Sequence, residues 1–130
     1  MRLLVADDAM FMRMLLKRYL ASFNFTEILE AGDGQQAVEL YRECRPDLVT
    51  LDLTMPEMDG LAALKQIMEY DRDAKVIVCS ALGTHKYITE ALVLGARNFI
   101  VKPFLPEQII KTVQYTLEAR AHIGAASKAN

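Results

Sequence analysis

Short apolar runs, separated by longer amphipathic stretches, dominate the pattern of the chain. Three runs are almost wholly apolar and end in acidic or hydroxyl side chains: LLVADD at 3–8, LVTLD at 48–52 and VIVCS at 76–80. Runs of this kind are typical of strands that are buried on both faces of a parallel sheet. Two weaker runs, at 26–31 and 98–102, bring the number of predicted strands to five.

The stretches between these runs carry apolar residues at intervals of three and four, which is the spacing of one face of a helix. Pro106 stands near the start of the last stretch, where a residue without an N–H is tolerated. The apolar faces of the five predicted helices are Met12, Leu15, Leu16, Tyr19 and Leu20; Ala37, Leu40, Tyr41 and Cys44; Leu64, Ile67 and Met68; Ile88, Ala91 and Leu92; and Ile109, Ile110, Val113 and Leu117.

Strand and helix patterns alternate five times, with turn residues such as Gly32-Asp33-Gly34 and Arg45-Pro46 between them. This alternation predicts an α/β fold with helices on both faces of a parallel sheet. Right-handed crossovers make a doubly wound five-stranded parallel sheet of order 2-1-3-4-5, the flavodoxin-like (β/α)5 topology, the simplest solution. A ligand crevice is expected where strands 1 and 3 diverge. We assign residues 1–120 to this domain and the small, polar residues 121–130 to a C-terminal tail.

The composition is that of a single globular domain, since 52% of the 130 residues are apolar and 25% are charged. Fifteen Lys and Arg residues against seventeen Asp and Glu residues give a net charge of −2, so we expect no binding to nucleic acid. No apolar run approaches the ~20 residues that span a bilayer, and the N-terminus lacks the layout of a secretory signal. We therefore expect a cytoplasmic protein that does not enter membranes.

Polar side chains stand at the carboxyl ends of four predicted strands. Asp7 and Asp8 follow the first strand, Asp52 ends the third, Ser80 the fourth and Lys102 the fifth. These strand ends face one crevice in a parallel sheet, where converging carboxylates would repel one another unless a hard divalent cation compensated them. Mg²⁺ is the natural candidate because it prefers oxygen ligands and keeps several waters, which leaves room for a phosphoryl group. The lysine would add a fixed cation and the serine a hydroxyl donor.

The motifs at these strand ends, taken in order, are similar to those of the receiver domains of two-component response regulators, and in particular of the stand-alone chemotaxis regulators. The matching segments are Asp7-Asp8, Asp52, MPEMDG at 55–60, Ser80-Ala81 and Lys102-Pro103-Phe104. The resemblance extends from residue 2 to about residue 118. Each motif is weak by itself, but five motifs in order at the expected strand ends are a specific signal.

The resemblance implies a role for each acidic residue. Asp52 would accept a phosphoryl group from a histidine kinase. Asp8, Asp52 and the carbonyl of Thr54 would bind Mg²⁺, with Asp7 acting mainly through water. Such a site suits phosphoryl transfer, which needs in-line placement and neutralisation of charge more than covalent work by the protein.

The resemblance also implies how the phosphoryl group would be sensed. Lys102 would hold the phosphate, with a cis peptide before Pro103 that directs the lysine into the crevice. Ser80 would move toward the phosphate. Phe99 occupies the position of an aromatic residue that swings inward as the serine moves, and this motion would convert a local charge event into a change of surface.

Two further residues are expected to control how long the phosphoryl group survives. In receivers, the side chains two residues beyond the acceptor aspartate and two beyond the serine flank the path of the hydrolytic water. These positions are Thr54 and Leu82 here. Because Leu82 has no polar atom to orient water, we expect a Gln at this position to shorten the phosphorylated lifetime.

We expect the phosphorylated protein, as a monomer, to signal by binding a protein partner. The segments 49–58 and 78–81 look most like chemotaxis regulators, which favours the flagellar motor switch as partner; a phosphatase is left open as a further one. Because Ser80 and Lys102 lie at the roots of helix 4, strand 5 and helix 5, we expect their motion to be transmitted to these elements. The expected partner surface on these elements consists of His85, Ile88, Phe99, Val101 and Thr112.

Three other functions stay open: a phosphorelay shuttle, a receiver fragment of a longer transcriptional regulator and, least favoured, a Mg²⁺-dependent aspartyl-phosphate phosphatase. Such phosphatases place a DxD pattern after the first strand and carry a cap over the substrate, whereas Asp7 and Asp8 adjoin and no segment is left for a cap. We therefore expect a phosphoacceptor that assists its own phosphotransfer and slow dephosphorylation, not an enzyme. No output domain follows residue 118, so we expect a stand-alone switch.

Overall fold

A computed structural model describes residues 1–81 and 85–118 of the chain. Residues 82–84, which include Leu82, and residues 119–130, which include the predicted tail, lie outside the described residues. The strands are β1 (Arg2–Ala6), β2 (Glu27–Ala31), β3 (Leu48–Asp52), β4 (Val76–Ala81) and β5 (Asn98–Lys102). The helices are α1 (Met10–Tyr19), α2 (Gly34–Cys44), α3 (Gly60–Tyr70), α4 (His85–Leu94) and α5 (Pro106–Glu118), and a short 3-10 turn (Ala21–Phe23) follows α1.

The five strands form one parallel sheet in the order β2-β1-β3-β4-β5, which confirms the predicted topology. The reversal of strand order at β1 and β3 opens the crevice expected at that point. Among the described residues, no helix is long and apolar enough to cross a bilayer.

The apolar runs form strands because each of the central strands is covered by helices on both faces. Alternate residues of β1 contribute to two separate cores. Leu4 and Ala6 pack on the side of α2, α3 and α4, whereas Leu3 and Val5 pack on the side of α1 and α5. Both faces of the strand are thus apolar, and this explains why the sequence shows continuous runs instead of alternation.

Ile88 corrects the predicted partner surface. This residue of α4 is buried, with only 8% of its surface exposed, because it belongs to the face of the helix that packs inward. The sequence pattern had already placed Ile88 on the apolar face of the helix, and that assignment is the correct one. The surface of α4 is presented instead by residues such as His85 and Tyr87, which are exposed.

The MPEMDG segment leads into α3 and packs against β3, the strand that carries Asp52. The Asp59 carboxylate accepts a hydrogen bond of 2.9 Å from the amide of Ala62 and so caps α3. Gly60 lies so close to β3 that a Cβ there would collide with the backbone of Asp52 and Leu53. The glycine therefore allows α3 to begin directly beside the end of β3.

Candidate functional site

The register of the sheet brings three carboxylates to one place. Ala6 of β1 pairs with Leu51 of β3, so the next residue of each strand segment, Asp7 and Asp52, stand side by side. Asp8 is exposed at the mouth of the crevice, whereas the other two carboxylates are buried. One oxygen from each of the three lies within 4.8 Å of the others, which is close enough to share a metal ion. The clustering predicted from the strand ends is therefore present.

Asp52 lies in an environment that opposes ionisation of its carboxyl group. One of its carboxylate oxygens accepts from the Thr54 amide at 3.2 Å and lies 3.4 Å from the Thr54 hydroxyl, and the other oxygen lies 3.6 Å from Lys102 Nζ. Burial raises the pKa of Asp52 above its ordinary value, the lysine and the Thr54 amide oppose this effect, and the charges of Asp7 and Asp8 add to it. The site therefore disfavours the ionised form of Asp52.

Lys102 forms its shorter contact with Asp7. Its Nζ donates to Asp7 Oδ2 at 2.8 Å, which is 0.8 Å shorter than its 3.6 Å separation from Asp52. Burial disfavours the charged lysine, but the hydrogen bond to Asp7 and the charge of Asp52 outweigh burial and raise the pKa of Lys102. The peptide between Lys102 and Pro103 is cis, as the resemblance implied. The lysine is therefore held as a cation between two buried carboxylates.

Ser80 and Phe99 connect this site to the edge of the sheet. Ser80 is buried near the end of β4 and pairs in register with Val101 of β5. Phe99 lies on β5, the edge strand, with 40% of its surface exposed, so it is not a core residue. A groove of about 470 Å³ runs beside it and is lined in part by Lys102, Lys111 and Thr112. The structure thus places an exposed aromatic ring three residues from the site lysine.

One polar group beside the site was missed from the sequence. Arg13 of α1 donates through Nη1 to the carbonyl oxygen of Asp7 at 2.6 Å and through Nε to Glu30 of β2 at 2.9 Å. Lys17 donates to the second oxygen of Glu30 at 2.9 Å. Hydrogen bonds from Lys17 and Arg13 lower the pKa of Glu30. The sequence did carry a signal for this cluster: the first predicted helix has two basic residues one turn apart, Arg13 and Lys17, and the acidic Glu30 stands near the end of the second strand.

A crevice at the carboxyl edge of a 2-1-3-4-5 parallel sheet, with clustered aspartates and a lysine, is the arrangement expected of a receiver-type signalling domain. The model of the response regulator receiver domain matches residues 3–114, which is most of the chain. The chain therefore belongs to the response regulator receiver family, as the motifs predicted.

Relatives of similar length occur in several bacteria. The chain is 48% identical to a chemotaxis protein CheY of Bacillus subtilis over 116 residues, covering 89% of this chain and 97% of the relative. It is 48% identical to a chemotaxis protein CheY of Thermotoga maritima over 112 residues, covering 86% and 93%. A CheX–CheY–BeF3–Mg²⁺ complex of Borrelia burgdorferi contains a chain that is 38% identical, with a TM-score of 0.85 and coverage of 91% and 90%.

Proposed function

We propose that the chain is a phosphorylation-activated switch in which Asp52 accepts a phosphoryl group from a sensor histidine kinase. The observation that carries the proposal is the position of Asp52. It is buried beside Lys102, and its carboxylate shares a cluster within 4.8 Å with Asp7 and Asp8. Transfer of a phosphoryl group needs in-line placement and charge neutralisation, and a carboxylate flanked by a lysine and a cation site meets both needs.

Mg²⁺ is the cation that fits this donor set. Carboxylate and carbonyl oxygens are hard ligands, and two of the three carboxylates are buried with Lys102 between them. Asp8, Asp52 and the carbonyl of Thr54 would hold the ion, with Asp7 acting through water. The bound ion would neutralise charge on the phosphoryl oxygens. Lys102 would supply the second positive charge, by exchanging its contact with Asp7 for one with the phosphoryl group.

The output surface that we propose is the face formed by α4, β5 and α5. Ser80 lies at the end of β4 beside β5, so its movement toward a phosphoryl group would be felt first at Phe99 and Val101. His85 and Phe99 are exposed, and Val101 and Thr112 are partly exposed, which supports this face without Ile88. Phe99 has no hydroxyl, so a partner would recognise its ring by packing and not by a phenolic hydrogen bond.

We place this switch in chemotaxis, with the flagellar motor switch protein as the partner, because the relatives of matching length in Bacillus subtilis and Thermotoga maritima described above are chemotaxis proteins. In this role it is a cytoplasmic phosphoacceptor that assists its own phosphotransfer and slow dephosphorylation. It does not turn over a separate substrate. A phosphorelay shuttle would use the same site but would pass the phosphoryl group to a histidine of a second protein.

Phosphorylation is tested by incubating the protein with acetyl phosphate and Mg²⁺ and measuring the intact mass. We expect the mass to rise by one phosphoryl group, and we expect no gain in Asp52→Asn. Asp71→Asn is the matched control. Asp71 is also a partly buried carboxylate, but it lies at the opposite end of the sheet, where it forms an ion pair with Arg45. A phosphoryl gain in Asp52→Asn would contradict the proposal.

The output surface is tested by the affinity of the phosphorylated protein for the motor switch protein. Phe99→Ala should weaken this binding about tenfold, in the range typical of an aromatic anchor, and leave phosphate uptake unchanged. Phe11→Ala is the control because Phe11 is more exposed than Phe99 but lies on α1, outside the proposed face. Equal loss of binding in both variants would contradict the assignment of the face.

The lifetime of the phosphoryl group is tested with Leu82→Gln. This residue lies outside the described residues, so the expectation comes from the sequence: the amide should orient the attacking water and shorten the half-life. The second timing residue, Thr54, is exposed and carries its hydroxyl 3.4 Å from Asp52 Oδ1. An unchanged or longer half-life in Leu82→Gln would contradict the expectation.

A further inference from the structure

The guanidinium of Arg13 joins three elements at the edge of the proposed metal site. Its Nη1 donates to the carbonyl oxygen of Asp7, just after β1, at 2.6 Å. Its Nε donates to the carboxylate of Glu30 in β2 at 2.9 Å. The Arg13 side chain is only 18% exposed, so solvent competes weakly for these contacts. The planar fork of an arginine suits this double task, because its donors have fixed directions.

The carbonyl that Arg13 holds belongs to the peptide between Asp7 and Asp8. A peptide group is planar, so fixing the direction of its oxygen also fixes the position of the next Cα, which is that of Asp8. Further hydrogen bonds hold Asp7: its amide donates to Ala31 O at 2.9 Å, and its carboxylate accepts from Ala9 N at 2.9 Å and from Lys102. Asp8 itself is exposed. Its direction therefore depends on the backbone that carries it.

We propose that Arg13 is a positioning residue for the cation site: by holding the Asp7 carbonyl, it fixes the direction from which Asp8 presents its carboxylate. Glu30 keeps the guanidinium in place and compensates its charge. The proposal rests on the Mg²⁺ site proposed for Asp8 and Asp52. It assigns Arg13 no contact with the ion or with the phosphoryl group.

The sign of the effect separates positioning from simple electrostatics. Arg13 is a cation near a cation site, so its charge alone would weaken Mg²⁺ binding, and its removal would tighten it. Positioning predicts the opposite. Arg13→Gln should raise the Mg²⁺ dissociation constant on the order of tenfold, as is typical when an outer partner of a metal ligand is lost.

Lys17→Gln is the matched control. Lys17 has the same ion pair with Glu30, at the same 2.9 Å, and it is a cation on the same helix, but it has no hydrogen bond to the Asp7 carbonyl. Both variants lose one ion pair to Glu30. Only Arg13→Gln loses the contact that positions the peptide, so Lys17→Gln should bind Mg²⁺ as tightly as the unsubstituted protein or slightly more tightly.

The experiment is a Mg²⁺ titration of the metal-free proteins, followed by calorimetry and by amide chemical shifts, with thermal unfolding to show that each variant is folded. A second readout is phosphorylation by acetyl phosphate. The rate in Arg13→Gln should be reduced at low Mg²⁺ and should return to that of the unsubstituted protein at saturating Mg²⁺, because Asp52 and Lys102 are intact. A general structural defect would lower the rate at every Mg²⁺ concentration.

Unchanged or tighter Mg²⁺ binding in Arg13→Gln would overturn the proposal, and so would an equal weakening in Lys17→Gln. If Arg13→Gln does not fold, Arg13→Lys decides: it keeps the charge but cannot hold both partners, so weaker binding supports positioning and unchanged binding overturns it. An unsubstituted protein that binds no Mg²⁺ would instead refute the cation site itself, and the proposal for Arg13 with it.

Discussion

Two aspartates at opposite ends of the sheet have opposite electrostatic environments. At the amino end of the strands, Asp71 follows α3 and accepts from the buried Tyr41 hydroxyl at 2.7 Å, from Arg45 at 3.3 Å and from the Asp73 amide at 3.0 Å. Burial alone would raise the pKa of Asp71, but these three donors outweigh it and lower the pKa. At the carboxyl end, Asp52 shares Lys102 with Asp7 and its pKa is raised.

The difference shows that the ionised carboxylate stabilises the fold at Asp71 and destabilises it at Asp52. The surrounding fold favours the ionised form of Asp71, because three groups, Tyr41, Arg45 and the Asp73 amide, donate hydrogen bonds to its carboxylate. The ionised form of Asp52 is disfavoured by burial and by two like charges. Lys102 and the Thr54 amide compensate this charge only in part, so the site would gain stability from a bound cation. Perturbed carboxylates of this kind cluster at functional sites.

The largest expected effect is on stability, and it differs in sign between the two ends. Asp71→Ala should lower the free energy of unfolding by about 2 kcal/mol, because the buried Tyr41 hydroxyl would lose its acceptor. Asp52→Asn should raise it by about 1 kcal/mol, as is common when a functional site is relieved of its charge. Urea unfolding without Mg²⁺ measures both changes.

The role of the Tyr41 hydroxyl in this comparison has its own control. In a Tyr41→Phe background the same Asp71→Ala substitution should cost clearly less, because no buried donor is left without a partner. Equal costs in both backgrounds would mean that the comparison between the two aspartates does not depend on this hydrogen bond.

The next effect is the response to Mg²⁺. For a site of millimolar affinity, ~10 mM Mg²⁺ should raise the free energy of unfolding on the order of 1 kcal/mol, because the ion binds only the folded cluster. The melting temperature should rise in the unsubstituted protein and in Asp71→Asn but not in Asp8→Asn. A rise in all three proteins would point to a cation effect that does not involve the acidic cluster.

The smallest effect is the pH dependence contributed by Asp71. Its folded pKa lies below the usual value of 3.8, so its contribution to stability is present above that value and is lost as the pH falls through the folded pKa. The difference in unfolding free energy between the unsubstituted protein and Asp71→Asn should therefore be constant at neutral pH and should shrink below about pH 4. A difference that grows on acidification would contradict the pairing of Asp71.

Several features of the site could be predicted from the sequence because they depend on position along a strand. Asp7, Asp52, Ser80 and Lys102 stand at the ends of apolar runs, and parallel strands bring such ends to one edge. The assignment of Ile88 to the partner surface was wrong, because its exposure depends on how α4 is rotated against the sheet. Its helical pattern indicated burial, and the structure agrees with that pattern.

By itself, the sequence determined the number and order of the elements, the 2-1-3-4-5 topology and the edge at which the polar residues meet, because hydrophobic period and strand ends are local properties. Only the tertiary structure decided that Lys102 lies closer to Asp7 than to Asp52, and that Arg13 bridges the Asp7 carbonyl and Glu30 across 17 residues of sequence. Such contacts depend on how helices rotate against the sheet and on differences below 1 Å between side-chain distances. No periodicity of a single chain segment records those quantities.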